Sequence, residues 1–198
     1  LRLEEASFLF ASDLAAVDRR TARQVWLDLP DALTKGDRGR QILLSGRLLE
    51  QARAYIAVER AHAVTKFRQR SGWRSYERPI FVHRERSASR LRLLDGSDVV
   101  LDLLSPEERS RIIVCDDDGT PGEPAVLWLT EVGLPVQPNS WEVIFARACK
   151  RCRDYGFSLS ISPHQLRHTF AVHMLALLIQ QRLREAALPA GPPPAAVA

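Results

Sequence analysis

Two short apolar runs, separated by turn-forming residues, constrain the fold more than any other feature of this sequence. The runs are RQVWLDLP at 23–30 and GRQILLS at 39–45, and the segment TKGDRG at 34–39 stands between them. A short apolar run bounded by turn residues is typical of a strand, and glycine beside charged residues is typical of a turn. The stretch therefore predicts a β-hairpin with Lys35 at its bend.

Helix signals surround this hairpin. Capping residues and apolar spacing near three to four residues predict helices in five places. These are an opening segment from Leu1 to about Leu14, GRLLEQARAYIAVER at 46–60, the start of SPEERSRIIV at 105, PNSWEVIFARACKRCRDYG at 138–156, and a helix that begins at SPHQLRHTF, 162–170. The sequence thus predicts an α+β fold that is mainly α, a helical domain with a small antiparallel β-sheet.

Positive charge is carried almost entirely by arginine. The chain has 28 basic and 24 acidic residues, a net charge of +4, and only three lysines, Lys35, Lys66 and Lys150. The planar guanidinium fork matches phosphate oxygens in pairs, so this composition favours a polyanionic partner. A general bias towards arginine codons in the genome would leave the same composition.

The basic residues are concentrated in one segment. Residues 60–92 contain ten basic and two acidic side chains, and the following stretch, up to Glu123, reverses the sign. Such a pair of segments is consistent with a solvated insertion. Because Trp73, Tyr76 and Phe81 lie among the arginines, it is equally consistent with a surface that contacts phosphates and bases of a nucleic acid.

Cysteine content and hydropathy bear on the compartment. Three cysteines, Cys115, Cys149 and Cys152, form no even disulfide framework, and the sequence shows no signal peptide, transmembrane run or lipidation motif. We therefore expect a cytoplasmic protein with no membrane partner. The C-x-x-C pair at 149 and 152 lacks the second cysteine pair of a zinc site, so we expect no metal there. Residues 186–198, rich in proline and alanine, are predicted to be a disordered tail.

The helix start at 162–170 carries an unusual concentration of positive charge. Arg167 and His168 lie in its first turns, where unpaired backbone N–H groups already give a partial positive charge. Backbone N–H groups, an imidazole and a guanidinium that converge on one point would bind a phosphate or a developing oxyanion. A surface helix with a basic polar face is the alternative.

Three segments in order resemble the signature boxes of the tyrosine recombinase (phage integrase) family. They are LRLEEA at 1–6, LTKGDRGRQILLS at 33–45 and SPHQLRHTFA at 162–171. The resemblance runs from Arg2 to about Met174, and the segment from about 61 to 124 is an insertion relative to the family. It implies a partial catalytic domain over residues 1–185, the fold of the recombinase catalytic core, and a role in DNA integration by a mobile genetic element.

The resemblance also implies the chemistry. Enzymes of this family break a DNA phosphodiester through a 3′-phosphotyrosine intermediate and need neither a metal nor another cofactor. Arg2 and Arg167 would neutralise the non-bridging oxygens, Lys35 would protonate the leaving 5′-oxygen, His164 would orient the phosphate, and Glu5 would brace the arginines. The implied partners are double-stranded DNA and other recombinase protomers bound to it.

Each of these residues also has an ordinary structural interpretation. Arg2 could be a frayed terminal residue and Lys35 a solvated turn residue. His164 and His168, four residues apart, could be a metal pair, although Arg167 between them would repel a cation.

The nucleophile cannot be assigned. The tyrosines stand at 55, 76 and 155, all upstream of the box at 162–171 that precedes the nucleophile in the family. We therefore expect a fragment of a longer recombinase, inactive by itself. Two alternatives remain, a DNA-binding remnant without catalysis and an unrelated cytosolic helical interaction protein.

Overall fold

The computed structural model describes residues 1–15, 24–34, 36, 38–86 and 90–187. Helical residues outnumber strand residues among them, so the fold is mixed α and β with helix predominating. The helices are α1 (Leu3–Ser7), α2 (Ala11–Ala15), α3 (Gly46–Tyr55), α4 (Ala61–Gln69), α5 (Pro106–Ser110), α6 (Pro138–Asp154) and α7 (Pro163–Ala187). The strands are β1 (Gln24–Leu29), β2 (Arg40–Ser45), β3 (Ile80–Arg86), β4 (Arg90–Leu93), β5 (Asp98–Val100), β6 (Ile112–Cys115) and β7 (Pro121–Pro124). The chain divides into two units, residues 1–141 and 142–198, which are described separately.

The predicted hairpin is confirmed. Strands β1 and β2 pair antiparallel, with Trp26 opposite Leu43 and Leu29 opposite Arg40. Leu27 and Leu29 are buried whereas Trp26 is exposed, which is the alternation expected of a strand with one covered face. Lys35, predicted at the bend, lies outside the described residues.

One hydrophobic cluster fills the covered face of the hairpin. Ser45 begins α3 by accepting a hydrogen bond from the Leu48 N–H at 3.2 Å, and a π-helical turn, Ile56–Arg60, continues α3 into α4. The cluster consists of Leu9, Leu14, Leu27, Leu29, Leu44, Leu49, Ala52 and Leu127. Burying one such leucine contributes about 1.5–3 kcal/mol, so this cluster stabilises the hairpin against α2 and α3.

The opening segment differs from the single helix predicted. It forms α1 and α2, which are separated by Phe8, Leu9 and Phe10, all buried. Phe10 makes an antiparallel bridge with Val126, and the Leu127 N–H donates to the Leu9 carbonyl at 2.7 Å. The chain leaves helical geometry there because its backbone groups pair with the segment after β7.

The second sheet corrects the prediction of a small antiparallel sheet. Its strand order is β5-β4-β3-β6-β7, and β3 and β6 run parallel while the other neighbours are antiparallel. Parallel neighbours need a long crossover, which β4, β5 and α5 supply here. Ile112, Ile113 and Cys115 of β6 have no exposed surface, as expected for a central strand covered on both faces.

The segment at 61–124, predicted as an insertion, shares a hydrophobic cluster with the start of the chain. Ala63 of α4, Val82 of β3 and Ile112 of β6 pack in one cluster with Phe10 and Val126. Its aromatic rings pack against one another: Trp73 on Phe81 and Phe67 on Tyr76, each at 6.1 Å between ring centroids. These contacts favour packing over base stacking as the role of the aromatic residues among the arginines.

The second unit contains most of α6 and all of α7. Gly156, at a φ of +84°, follows the end of α6 as predicted, because a left-handed residue there favours glycine. The Cys149 thiol is buried and accepts a hydrogen bond from the Ile161 N–H at 3.3 Å. Ser162 and Gln165 cap α7 reciprocally. None of the helices within the described ranges has the length and apolar character needed to cross a membrane.

Candidate phosphate-binding site

A buried carboxylate organises the site in the first unit. Glu5, on α1, is only 1% exposed. Its Oε2 accepts two hydrogen bonds of 2.6 Å, one from the backbone N–H of Arg2 and one from Nη2 of Arg40. A carboxylate at this depth is costly unless it is paired, and these two donors offset that cost. Glu5 is therefore in a position to hold Arg2 in place, as its predicted bracing role requires.

Arg2 is held mainly through its backbone. Its guanidinium Nη1 lies 3.7 Å from Oε1 of Glu5, which is an ion pair but exceeds hydrogen-bond length. The Oε1 atom is buried and has no hydrogen-bond partner in the described chain. The Arg2 side chain is 41% exposed. Its guanidinium donors therefore remain available for an external anion.

Arg40 was not singled out from the sequence. It begins β2 opposite the buried Leu29, and the period of two places it on the same side of the strand as Ile42 and Leu44. Leu44 belongs to the hairpin's hydrophobic cluster, so Arg40 points towards the covered face at the loop end of β2. The strand assignment of GRQILLS was the signal that could have identified Arg40, because it places the guanidinium on the side of Ile42 and Leu44, where a charge needs an acidic partner.

The hairpin loop is anchored on both sides of Lys35. The Thr34 hydroxyl is buried, lies 2.6 Å from the Arg38 carbonyl oxygen and accepts the Arg38 N–H at 3.0 Å. The Gly39 N–H donates to the Asp31 side chain. These bonds fix the loop's two ends relative to each other. The predicted general acid, Lys35, itself lies outside the described residues.

The charges in this site do not cancel. Two guanidinium groups, from Arg2 and Arg40, share the single negative charge of Glu5, which leaves a net charge of +1. Each guanidinium carries five N–H donors in a planar fork, and only one of these ten donors is within hydrogen-bond distance of Glu5. Excess positive charge with unused planar donors suits a phosphate or another oxyanion.

The other two predicted residues belong to the second unit. His164 and Arg167 lie in the first turns of α7, and both are exposed. His164 lies between the capping residues Ser162 and Gln165, and Arg167 follows two residues after the cap, so both are near the helix start, where backbone N–H groups lack intrahelical partners. Their convergence with Arg2 on one basic surface stays a prediction.

The tyrosine hydroxyls have contrasting surroundings. The Tyr55 hydroxyl accepts the Leu129 N–H at 3.0 Å, and its ring packs on Trp128. The Tyr76 hydroxyl is buried and has no hydrogen-bond partner in the described part of the chain. Its burial raises its pKa, against a smaller lowering by the charge of Arg60. Tyr155, after α6, is 81% exposed. The hydroxyl of Tyr55 is thus hydrogen-bonded within the fold and that of Tyr76 is buried in it, whereas Tyr155 faces solvent.

Comparison of the chain with protein-family models, with curated proteins and with solved structures gave no match.

Proposed function

We propose that this chain is a partial catalytic domain of a tyrosine recombinase, which binds duplex DNA through its phosphates but lacks a nucleophile of its own. The observation that carries the proposal is the contact between Glu5 and Arg40 at 2.6 Å. It joins the first box, at 1–6, to the hairpin box, at 33–45. Two segments that resemble family signatures thereby contribute to one basic site, which supports a shared role for them.

The residue roles follow from the chemistry of phosphodiester cleavage. Arg2 and Arg167 neutralise the non-bridging oxygens as charge builds on the phosphate, and Lys35 donates a proton to the leaving 5′-oxygen. His164 orients the phosphate, and Glu5 holds the arginine at the start of the chain. The reaction needs no metal, because the cations are side chains. Further protomers would assemble on the same DNA.

The same reasoning predicts binding without cleavage. Stabilising a pentacoordinate phosphate lowers the barrier only where an attacking hydroxyl is held in line with the leaving oxygen. The Tyr55 hydroxyl is bonded to Leu129, and the raised pKa of Tyr76 opposes formation of the phenolate. Neither group is suited to attack.

Binding is tested by titrating a fluorescent duplex with the whole chain at several salt concentrations. Each phosphate contact contributes a slope of about −0.9 to the plot of log K against log salt. We expect Arg2→Ala and Arg167→Ala each to reduce that slope by about one contact. Arg182→Ala is the matched control, since Arg182 is 85% exposed and paired with Glu185. Absence of salt-dependent binding by the unmodified chain would refute the proposal and favour the helical interaction protein.

Cleavage is tested with a suicide duplex nicked near the scissile phosphate, which traps any covalent adduct on a denaturing gel. We expect no adduct. An adduct that disappears with Tyr155→Phe would show that the exposed tyrosine of the second unit is a relocated nucleophile, and it would overturn the claim that the chain lacks one.

A further inference from the structure

We infer that Arg40 is a second phosphate contact in the same site, beside Arg2, on the backbone of bound DNA. This inference rests on the proposed function. It adds a residue outside the set that the sequence resemblance supplied, and it assigns a ligand class to that residue, a phosphodiester oxygen.

The geometry leaves Arg40 with unused donors. Nη2 donates to Oε2 of Glu5, and this is the side chain's only hydrogen bond within the described ranges. The side chain is 37% exposed. One nitrogen of the fork is thus fixed by a buried anchor, while the remaining N–H groups have no acceptor among the described residues. A guanidinium fixed in this way loses little further conformational entropy when it binds an anion.

Two other arginines of the same unit, Arg60 and Arg109, are buried and use their guanidinium groups for structural contacts. Arg60 is 4% exposed and donates to Glu123 and to two backbone carbonyls. Arg109 is 1% exposed, donates to the Phe8 carbonyl at 3.1 Å and lies 3.9 Å over the Phe10 ring. Their donors are used inside the protein. Arg40 is far more exposed and has one acceptor, so structural pairing alone does not account for its position.

Arg2 and Arg40 are held in place by two different secondary-structure elements. Arg2 is fixed by the N-terminal end of α1, and Arg40 by the first ladder position of β2, opposite Leu29. Glu5 joins the two. A pair of cations held from separate elements keeps its spacing without DNA, which is the preorganisation that phosphate recognition requires.

The test measures the salt dependence of duplex binding by the whole chain. Every variant carries Glu5→Gln, so that removing Arg40 leaves no buried carboxylate without a partner. Glu5→Gln keeps an acceptor for the Arg2 N–H and serves as the reference. Glu5→Gln with Arg40→Gln removes the guanidinium, and Glu5→Gln with Arg40→Lys restores a cation. Arg182→Gln in the same background is the control for loss of one exposed arginine. Thermal unfolding of every variant verifies that the fold is retained.

We expect the slope of log K against log salt to fall by about 0.9 in the Arg40→Gln double variant, to recover with Arg40→Lys and to be unchanged with Arg182→Gln. An unchanged slope with Arg40→Gln, while Arg2→Ala still lowers it, would overturn this inference alone. If Arg40 acted only by holding Arg2, Arg40→Gln would lower the slope no further in a chain that already carries Arg2→Ala, and that result would also overturn the inference. If no arginine variant alters the slope, the proposed function fails with it.

Discussion

Replacing Arg60 by methionine tests whether an arginine of the basic segment 60–92 belongs to the protein's interior. Arg60 ends the π-helical turn after α3 and is 4% exposed. Its Nη1 donates to the Glu123 carboxylate, and its Nη2 donates to the carbonyls of Pro124 and, at 3.2 Å, Val126. These bonds span more than 60 residues of sequence and fasten the helices to the end of the second sheet.

The expected loss is large because the partners stay buried. Methionine approximates the aliphatic stem but donates nothing, so two carbonyls lose their donor at about 1–3 kcal/mol each. Glu123 retains a longer ion pair with Arg84 at 3.4 Å, which limits the cost of its unpaired charge. Breaking a buried ion pair costs about 3–5 kcal/mol, and we expect Arg60→Met to fall in that range.

The control is Arg68→Met. Arg68 is 43% exposed and pairs with Asp116 at 2.7 Å, and exposed ion pairs contribute about 0–1 kcal/mol. Urea unfolding is followed by tryptophan fluorescence, which reports on the first unit because the four tryptophans all lie within residues 1–141. At a slope near 2 kcal/mol/M, Arg60→Met should lower the midpoint by about 2 M. Equal, small shifts for both variants would refute the assignment of Arg60 to the interior.

Three further predictions concern the loop and the sheet. Gly39→Ala should lower the urea midpoint by an amount equivalent to about 1–3 kcal/mol, because its Cβ would lie 2.5 Å from Asp31 Oδ1. Hydrogen bonds from Arg68, and then from Arg84, lower the pKa of Asp116. The carboxylate therefore stabilises the fold above its ordinary pKa of 3.8, and this contribution is lost as the pH falls below that value. The urea midpoints at pH 7 and pH 3 should differ less in Asp116→Asn than in the unmodified chain. Burial raises the pKa of the Cys115 thiol, and Asp116 and Asp118 add to the effect, so mass spectrometry at pH 8 should find Cys115 alkylated more slowly in the folded than in the urea-unfolded chain.

Features with a local cause were predictable from sequence. The short apolar runs at 23–30 and 39–45 identified β1 and β2, and the Ser-Pro-Glu-Glu signature identified α5, where Ser105 and Glu108 form a capping box. A helix cap needs only residues three positions apart. The parallel pairing of β3 with β6 joins residues about 30 positions apart, and no short-range pattern specifies it. The same applies to the break in the opening helix at Phe10, which a bridge to Val126 causes.

The site was predictable only as separate boxes. Arg2, Glu5 and Lys35 could be proposed from the segments they occupy, but the partner that the structure gives to Glu5 is Arg40, 35 residues away. The sequence alone does not distinguish Arg40 from Arg60. Among the described residues, Arg40 is partly exposed and donates to one acceptor, whereas Arg60 is buried and donates to several. Burial and hydrogen-bond partners separate them, and both depend on the folded chain.

Glu5 explains how two cations can be held together before any anion arrives. Two guanidinium groups that share one carboxylate repel each other, and this repulsion grows as water is excluded and the effective dielectric constant falls. A buried carboxylate that contacts both offsets this repulsion in the free protein, whereas a solvent-exposed one would be screened. Because one negative charge cannot neutralise two positive ones, an incoming phosphate can add to the site without displacing Glu5. Neutralising Glu5 should therefore cost folding stability while strengthening the attraction for phosphate, and a loss of both would show that the carboxylate also sets the direction of the forks.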